Sequence, residues 1–246
     1  MGGAMLFTDR VAAGRRLAER LRYLRGRDVV VVGLPRGGVV VAAEVAKELD
    51  APLDVIVVRK LGVPFQPEFG FGAIGEEGAR VIDDAVVRLT GLTESQAAAV
   101  EARERGQLER RTGQLRAGRP PLELAGRTVV VVDDGVATGS TARAACQVAR
   151  ARGAAKVVLA VPVGQTDTIA ALRDAADEVV CLRTPEGFFA IGESYANFSQ
   201  TTDEEVIKVL AAAAKSRGGQ GAAADPRDVT VDAGGVALHG SLVIPD

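Results

Sequence analysis

The chain has 246 residues, enough for one large domain with an appendage and too few for two full α/β domains of ordinary size. At 47% hydrophobic and 25% charged residues it can bury a sizeable core, which excludes disorder as a description of the whole chain. The 30 basic and 32 acidic residues nearly cancel, and residues 1–216 alone carry 28 of each, so bulk charge offers nucleic acid no grip and any anion must be held by a local site.

No apolar run approaches the ~20 residues needed to cross a bilayer, and residues 1–7 lack the basic flank and apolar stretch of a secretory signal. No membrane partner and a cytoplasmic location are therefore expected. Cys146 and Cys181 each sit in apolar sequence far from the other, which predicts two buried thiols rather than a disulfide or a thiolate metal site. The one histidine, His239, lies close to the end and removes histidine-based metal clusters and catalytic triads from the rest of the chain.

Thr8 or Asp9 is placed to cap a first helix in which Val11, Leu17, Leu21 and Leu24 recur at helical spacing, with Gly26 as its stop. Residues 28–34 read as a buried strand, 35–38 as a tight loop, 39–49 as a helix and 53–58 as a second apolar strand, which together make one βαβ unit. Residues 59–78 contain Gly62, Gly70, Gly72, Gly75, Gly78 and two prolines, and read as an irregular mobile loop leading to a hairpin, hence a candidate lid. A helix over 93–116 mixes four glutamates with five arginines and is expected to be a solvated face without chemistry.

Strand 128–133, helix 138–152, strand 156–163, a short helix from Thr166, strand 178–182 and a closing helix over 203–216 continue the alternation. That order specifies an α/β fold with a mostly parallel sheet flanked by helices. Residues 217–227 form a linker of mainly small residues. Two short strands, 228–231 and 236–244, then read as a C-terminal β-hairpin tail, so the expected division is 1–216, 217–227 and 228–246.

The most informative segment runs from Val129 to Thr141: an apolar strand, the acidic pair Asp133-Asp134, then Gly135, Val136, Ala137, Thr138, Gly139, Ser140 and Thr141 opening a helix. Amides and hydroxyls at a helix start form a nest for a phosphate, and glycines allow the close approach that larger residues obstruct. Two carboxylates beside such a nest would repel a phosphate they touched, so they are expected to face hydroxyls or a magnesium ion. A sugar phosphate meets both demands. Neither the Walker loop nor the dinucleotide fingerprint fits, since no lysine follows Gly139 and the glycine spacing differs.

The segment from Asp133 to Thr141 resembles the signature of the type I phosphoribosyltransferases, and the resemblance covers residues 8–216. It implies that family's fold with a small hood, a phosphoribosyl pyrophosphate (PRPP) substrate and Mg²⁺. Asp133 and Asp134 would take the ribose hydroxyls, with Mg²⁺ beside them, and Gly135 to Thr141 the 5′-phosphate. Gly33-Leu-Pro-Arg-Gly-Gly38 resembles the family's pyrophosphate loop, which assigns Arg36 and the amides of Gly37 and Gly38 to the diphosphate, joined by Arg59 and Lys60 from the end of the next strand. Residues 61–78 would be the flexible catalytic loop, and residues 185–198 would line the acceptor site, with Phe188, Phe189 and Tyr195 available to stack on a base.

Ala137 stands where the 6-oxopurine enzymes carry an aspartate, which argues against hypoxanthine or guanine as acceptor and leaves acid–base help to Glu68, Glu76 or Glu77. The expected activity is phosphoribosyl transfer from PRPP to an unidentified, nitrogenous small-molecule acceptor. A PRPP-binding regulatory module without efficient transfer is the alternative. The family often pairs, so a homodimer is a further expectation. Some predicted bacterial members are fused to a dienelactone-hydrolase-like domain whose opening hairpin residues 229–245 resemble. No Gly-x-Ser-x-Gly elbow follows, so no hydrolase activity is expected of this chain.

Overall fold

The computed structural model describes residues 7–218, 227–232 and 237–242. α1 (Arg10–Arg20) starts on Asp9, whose carboxylate accepts from the Ala12 amide at 2.8 Å, and leads to β1 (Val29–Gly33), α2 (Gly37–Leu49) and β2 (Leu53–Val55). Then come β3 (Val58–Val63), β4 (Gln66–Gly75), β5 (Arg80–Ile82), α3 (Asp84–Thr90) and α4 (Glu94–Arg116). β6 (Thr128–Val132), α5 (Ser140–Ala151), β7 (Lys156–Val163), α6 (Thr166–Ala171), β8 (Glu178–Arg183) and α7 (Asp203–Gly218) follow. β9 (Arg227–Asp232) pairs antiparallel with β10 (Ala237–Leu242) as the expected hairpin, while residues 219–226 of the expected linker lie outside the described residues.

Five parallel strands form one sheet in the order β2-β1-β6-β7-β8. Side chains alternate across it. Val29 and Val31 of β1, with Val130 and Val132 of β6, join a core layer with α1, α2 and α7; Val30, Val32, Val129 and Val131 join the opposite layer with α5. Burial on both faces explains why these strands are unbroken valine runs. Cys146 lies in the second layer, where burial pushes its thiol up to about 12; Cys181 is only half-buried, short of the expected burial. No described helix is long and apolar enough to cross a membrane.

Three expectations change. The strand over 53–58 stops at Val55, because its partner β1 ends at Gly33 and the ladder has nothing further to pair with. Residues 59–78 are not an irregular loop: β3, β4 and β5 form a separate antiparallel sheet. The glycines that read as loop punctuation allow close packing within it. A Cβ at Gly75 would stand 2.3 Å from Val148 Cγ1 of α5.

The third change concerns α4. Thr93 caps it with a full capping box to Gln96, as its sequence suggests, yet Val100, Glu104, Leu108, Leu115 and Arg116 are buried. The Arg116 guanidinium is enclosed between Asp54 of β2 and Glu76 just past β4. Its Nη1 and Nη2 donate to Asp54 Oδ1 and Oδ2 at 2.9 and 3.1 Å, Nη2 also to Val55 O at 3.1 Å, and Nε to Glu76. Asp54 further accepts from the amides of Val55 and Leu122, and Glu76 from that of Val57. This buried cluster is the base from which the β3–β4 hairpin rises.

Candidate active site

β1 and β6 are neighbours in the sheet, with β2 on the outer side of one and β7 on the outer side of the other. Chain order reverses between them, so the loops leaving their carboxyl ends open a crevice of the kind where α/β sheets bind ligands. The two loops touch. A Cβ at Gly37 would lie 1.9 Å from Asp134 Oδ2 and 2.6 Å from Arg10 Nε, and one at Gly38 would lie 2.7 Å from Val132 O. Only glycine fits this approach. Gly37→Ala is expected to destabilise the protein by about 1–3 kcal/mol through overpacking, read as a lower midpoint in thermal unfolding.

Between the loops stand the two carboxylates. The Asp134 amide donates to Asp133 Oδ1 at 2.9 Å, and Arg10 Nε donates to Asp134 Oδ2 at 2.8 Å. Burial, with Asp134 alongside, pushes the Asp133 carboxyl well above the usual carboxylate range. Among the described residues no group of three or more metal-ligating side chains forms. Two adjacent carboxylates nonetheless suit Mg²⁺, which keeps several waters and commonly takes only one or two protein carboxylates along with substrate oxygens.

The segment after the acidic pair divides in two. Val136 is buried in the protein, its amide donating to Val163 O at 2.9 Å and its carbonyl accepting from Gln165 N, so it is sheet edge and not ligand contact, contrary to expectation. Its neighbour Ala137 accepts from Thr168 Oγ1 at 2.8 Å. Thr138 is exposed and Ser140 half-buried, with Gly139 buried between them. Gly139 takes φ +75°, the helix starts at Ser140 rather than at the expected Thr138, and the first-turn amides have no acceptor within the helix. Thr138 and Ser140 line a 400 Å³ cleft together with Lys60 and Arg143.

Arg36 precedes α2, follows a cis Pro35–Arg36 peptide, is half-buried, and has no ion-pair partner among the described residues. Arg59 and Lys60 lie not at the end of a parallel strand but inside β3, in the antiparallel sheet. Both line a 790 Å³ cleft with Pro35, Thr141 and the α4 residues Arg103, Arg110 and Arg111. Arg59 is held at the cleft wall by Glu104, at 2.9 Å, and by Gln107. The helix expected to carry no chemistry is therefore one side of this cleft.

The expected base-stacking residues separate. Tyr195 is 4% exposed; its ring packs against Phe7 and Phe198, and its hydroxyl donates to Asp134 O at 2.5 Å. It supports the acidic loop and offers no free face to a base. Phe188 is half-buried on the same cluster, whereas Phe189 is 85% exposed. The acid–base candidates also change: Glu76 is locked to Arg116 and Glu77 pairs with Arg152 at 2.5 Å. Sequence reasoning missed Arg10, because nothing in local spacing links it to a carboxylate 124 positions away.

A model of the phosphoribosyl transferase domain matches residues 7–196. The chain belongs to the phosphoribosyltransferase family. Two Mycobacterium tuberculosis proteins, from strains CDC 1551 and H37Rv, are named as candidate phosphoribosyl transferases and are 57% identical to it over 98% of its length. The chain covers 56% of each, so it spans about half the length of these curated relatives. A crystal structure of a Thermus thermophilus protein superposes with a TM-score of 0.79 at 45% identity, over 84% of this chain and 98% of that one. The phosphoribosyltransferase match takes in the Gly33–Gly38 loop, the segment from Asp133 to Thr141 and the β3–β5 sheet, and it stops short of α7 and the β9–β10 hairpin.

Proposed function

We propose that this phosphoribosyltransferase is a Mg²⁺-dependent enzyme that moves the 5-phosphoribosyl group of PRPP to a nitrogenous base and releases pyrophosphate. The observation that carries the reading is the packing of the Gly33–Gly38 loop directly on the acidic pair, with Gly37 against Asp134. That contact supports a reading in which the first loop takes the diphosphate and the acidic pair the sugar, side by side. Asp133 and Asp134 orient the ribose through its hydroxyls, and the amides of Thr138 to Thr141 take the 5′-phosphate. Mg²⁺ held beside the acids would neutralise charge on the leaving diphosphate. Arg36 and Lys60 add fixed positive charge there, and the sheet of β3, β4 and β5 screens the reaction from water. Catalysis of this kind is positioning and electrostatic stabilisation as the bond at the anomeric carbon breaks.

The test is pyrophosphate release from Mg·PRPP across a panel of nitrogenous bases. Turnover with at least one base is expected. Binding of Mg·PRPP with no release for any acceptor would instead identify a regulatory module, and no binding at all would overturn the reading. Lys60→Ala is expected to slow turnover about a hundredfold, the usual effect of removing one preorganised electrostatic contact, measured as kcat with the base that reacts.

A further inference from the structure

Arg10 is the first residue of α1, directly after the Asp9 cap, and its side chain reaches across to the β6 loop. Nε donates to Asp134 Oδ2 at 2.8 Å, Nη1 donates to Ser199 O at 2.7 Å, and the guanidinium carbon stands 3.9 Å from the centroid of the Phe198 ring. Arg10 and Asp134 side chains are only 11% and 13% exposed. A planar guanidinium held by a carboxylate, a carbonyl and an aromatic face has little freedom left.

Asp134 is restrained at other points as well. Its carbonyl accepts from Tyr195, its amide donates to Asp133 Oδ1, and Gly37 packs against Oδ2. Asp133 Oδ1 is thus taken by the Asp134 amide and Asp134 Oδ2 by Arg10, which fixes how both carboxylates are turned. On the proposed reading, the carboxylates so turned face the two vicinal hydroxyls of the ribose. An arginine at the first position of a helix sits beside the positive end of the helix dipole, where a cation is disfavoured. The pairing with Asp134 offsets that cost.

We infer that Arg10 is a positioning residue for sugar recognition, acting through Asp134 and not by touching the ligand. This rests on the reading of the acidic pair as a ribose site. The readout is the dissociation constant of ribose 5-phosphate relative to that of inorganic phosphate, by calorimetry on the full chain with Mg²⁺. Arg10→Gln is expected to raise the ribose 5-phosphate constant about tenfold or more with a much smaller change for phosphate, since the loop amides are untouched. Asp134→Asn should produce the same selective loss, and the double variant should be no worse than Asp134→Asn alone. Arg10→Lys, which keeps the charge without the fork, should fall between, and it carries the same comparison if Arg10→Gln does not fold. Equal weakening of both probes, or additive effects in the cycle, would reduce Arg10 to a structural clamp. Normal ribose 5-phosphate binding by Arg10→Gln would overturn the inference alone, whereas failure of the unaltered protein to bind it would overturn the ribose-site reading beneath.

Discussion

Arg116→Ala is expected to destabilise the protein by about 3–5 kcal/mol, because it leaves two buried carboxylates without their countercharge. Asp54, Glu76 and Arg116 are 5%, 7% and 5% exposed, so water does not replace the lost partner. The backbone amides of Val55, Leu122 and Val57 still donate to the carboxylates, but they carry no net charge to offset. For a chain of this size each kcal/mol moves the thermal midpoint by roughly 2–4 °C, so a fall on the order of 10 °C is expected in a calorimetric scan. Arg116→Lys should lose much of the same stability, since one ammonium cannot bind Asp54 through two nitrogens while also reaching Glu76. Replacing all three residues with apolar ones of similar volume should recover most of it. An unchanged midpoint for Arg116→Ala would mean that the cluster is not holding the β3–β4 hairpin to the sheet.

The same cluster shows what was legible beforehand. Asp54 lies within the apolar stretch 53–58, and a charge inside a buried strand must be paired or neutralised. No local pattern names the partner, because Arg116 is 62 positions away at the end of a helix whose charges look solvated. The parallel sheet was readable because valine runs and a helical period are local properties. The placement of the Gly33–Gly38 and Asp133–Thr141 loops after β1 and β6 was readable because each is a contiguous motif that follows an apolar strand. The β3–β5 sheet was not, since its glycines serve close packing of its own strands and, at Gly75, against α5, contacts that residue type alone does not reveal. Tyr195 was misjudged for a related reason: an aromatic side chain reads the same whether it faces a ligand or, as here, props up the carbonyl of Asp134.

Asp133→Asn should separate stability from function. The raised pKa of Asp133 has a defined sign in linkage. Unfolded, the carboxyl loses its proton near the ordinary value of about 4; folded, it holds the proton to higher pH. Between those two points the native state binds more protons than the unfolded state, so its stability declines as pH rises, and the carboxyl is a penalty to the fold above the unfolded value. An amide removes that penalty while still accepting from the Asp134 amide. The ligand-free variant is therefore expected to melt at a higher temperature than the unaltered protein at pH 7, with the difference vanishing toward pH 4. If Asp133 has the proposed role, transferase activity should fall about a thousandfold, because a neutral amide neither draws Mg²⁺ nor accepts as strongly from a ribose hydroxyl. For the unaltered protein, Mg·PRPP affinity should weaken as pH falls, starting above the range where an ordinary aspartate protonates. A variant that loses activity together with stability would instead mark Asp133 as a structural residue and remove it from the proposed site.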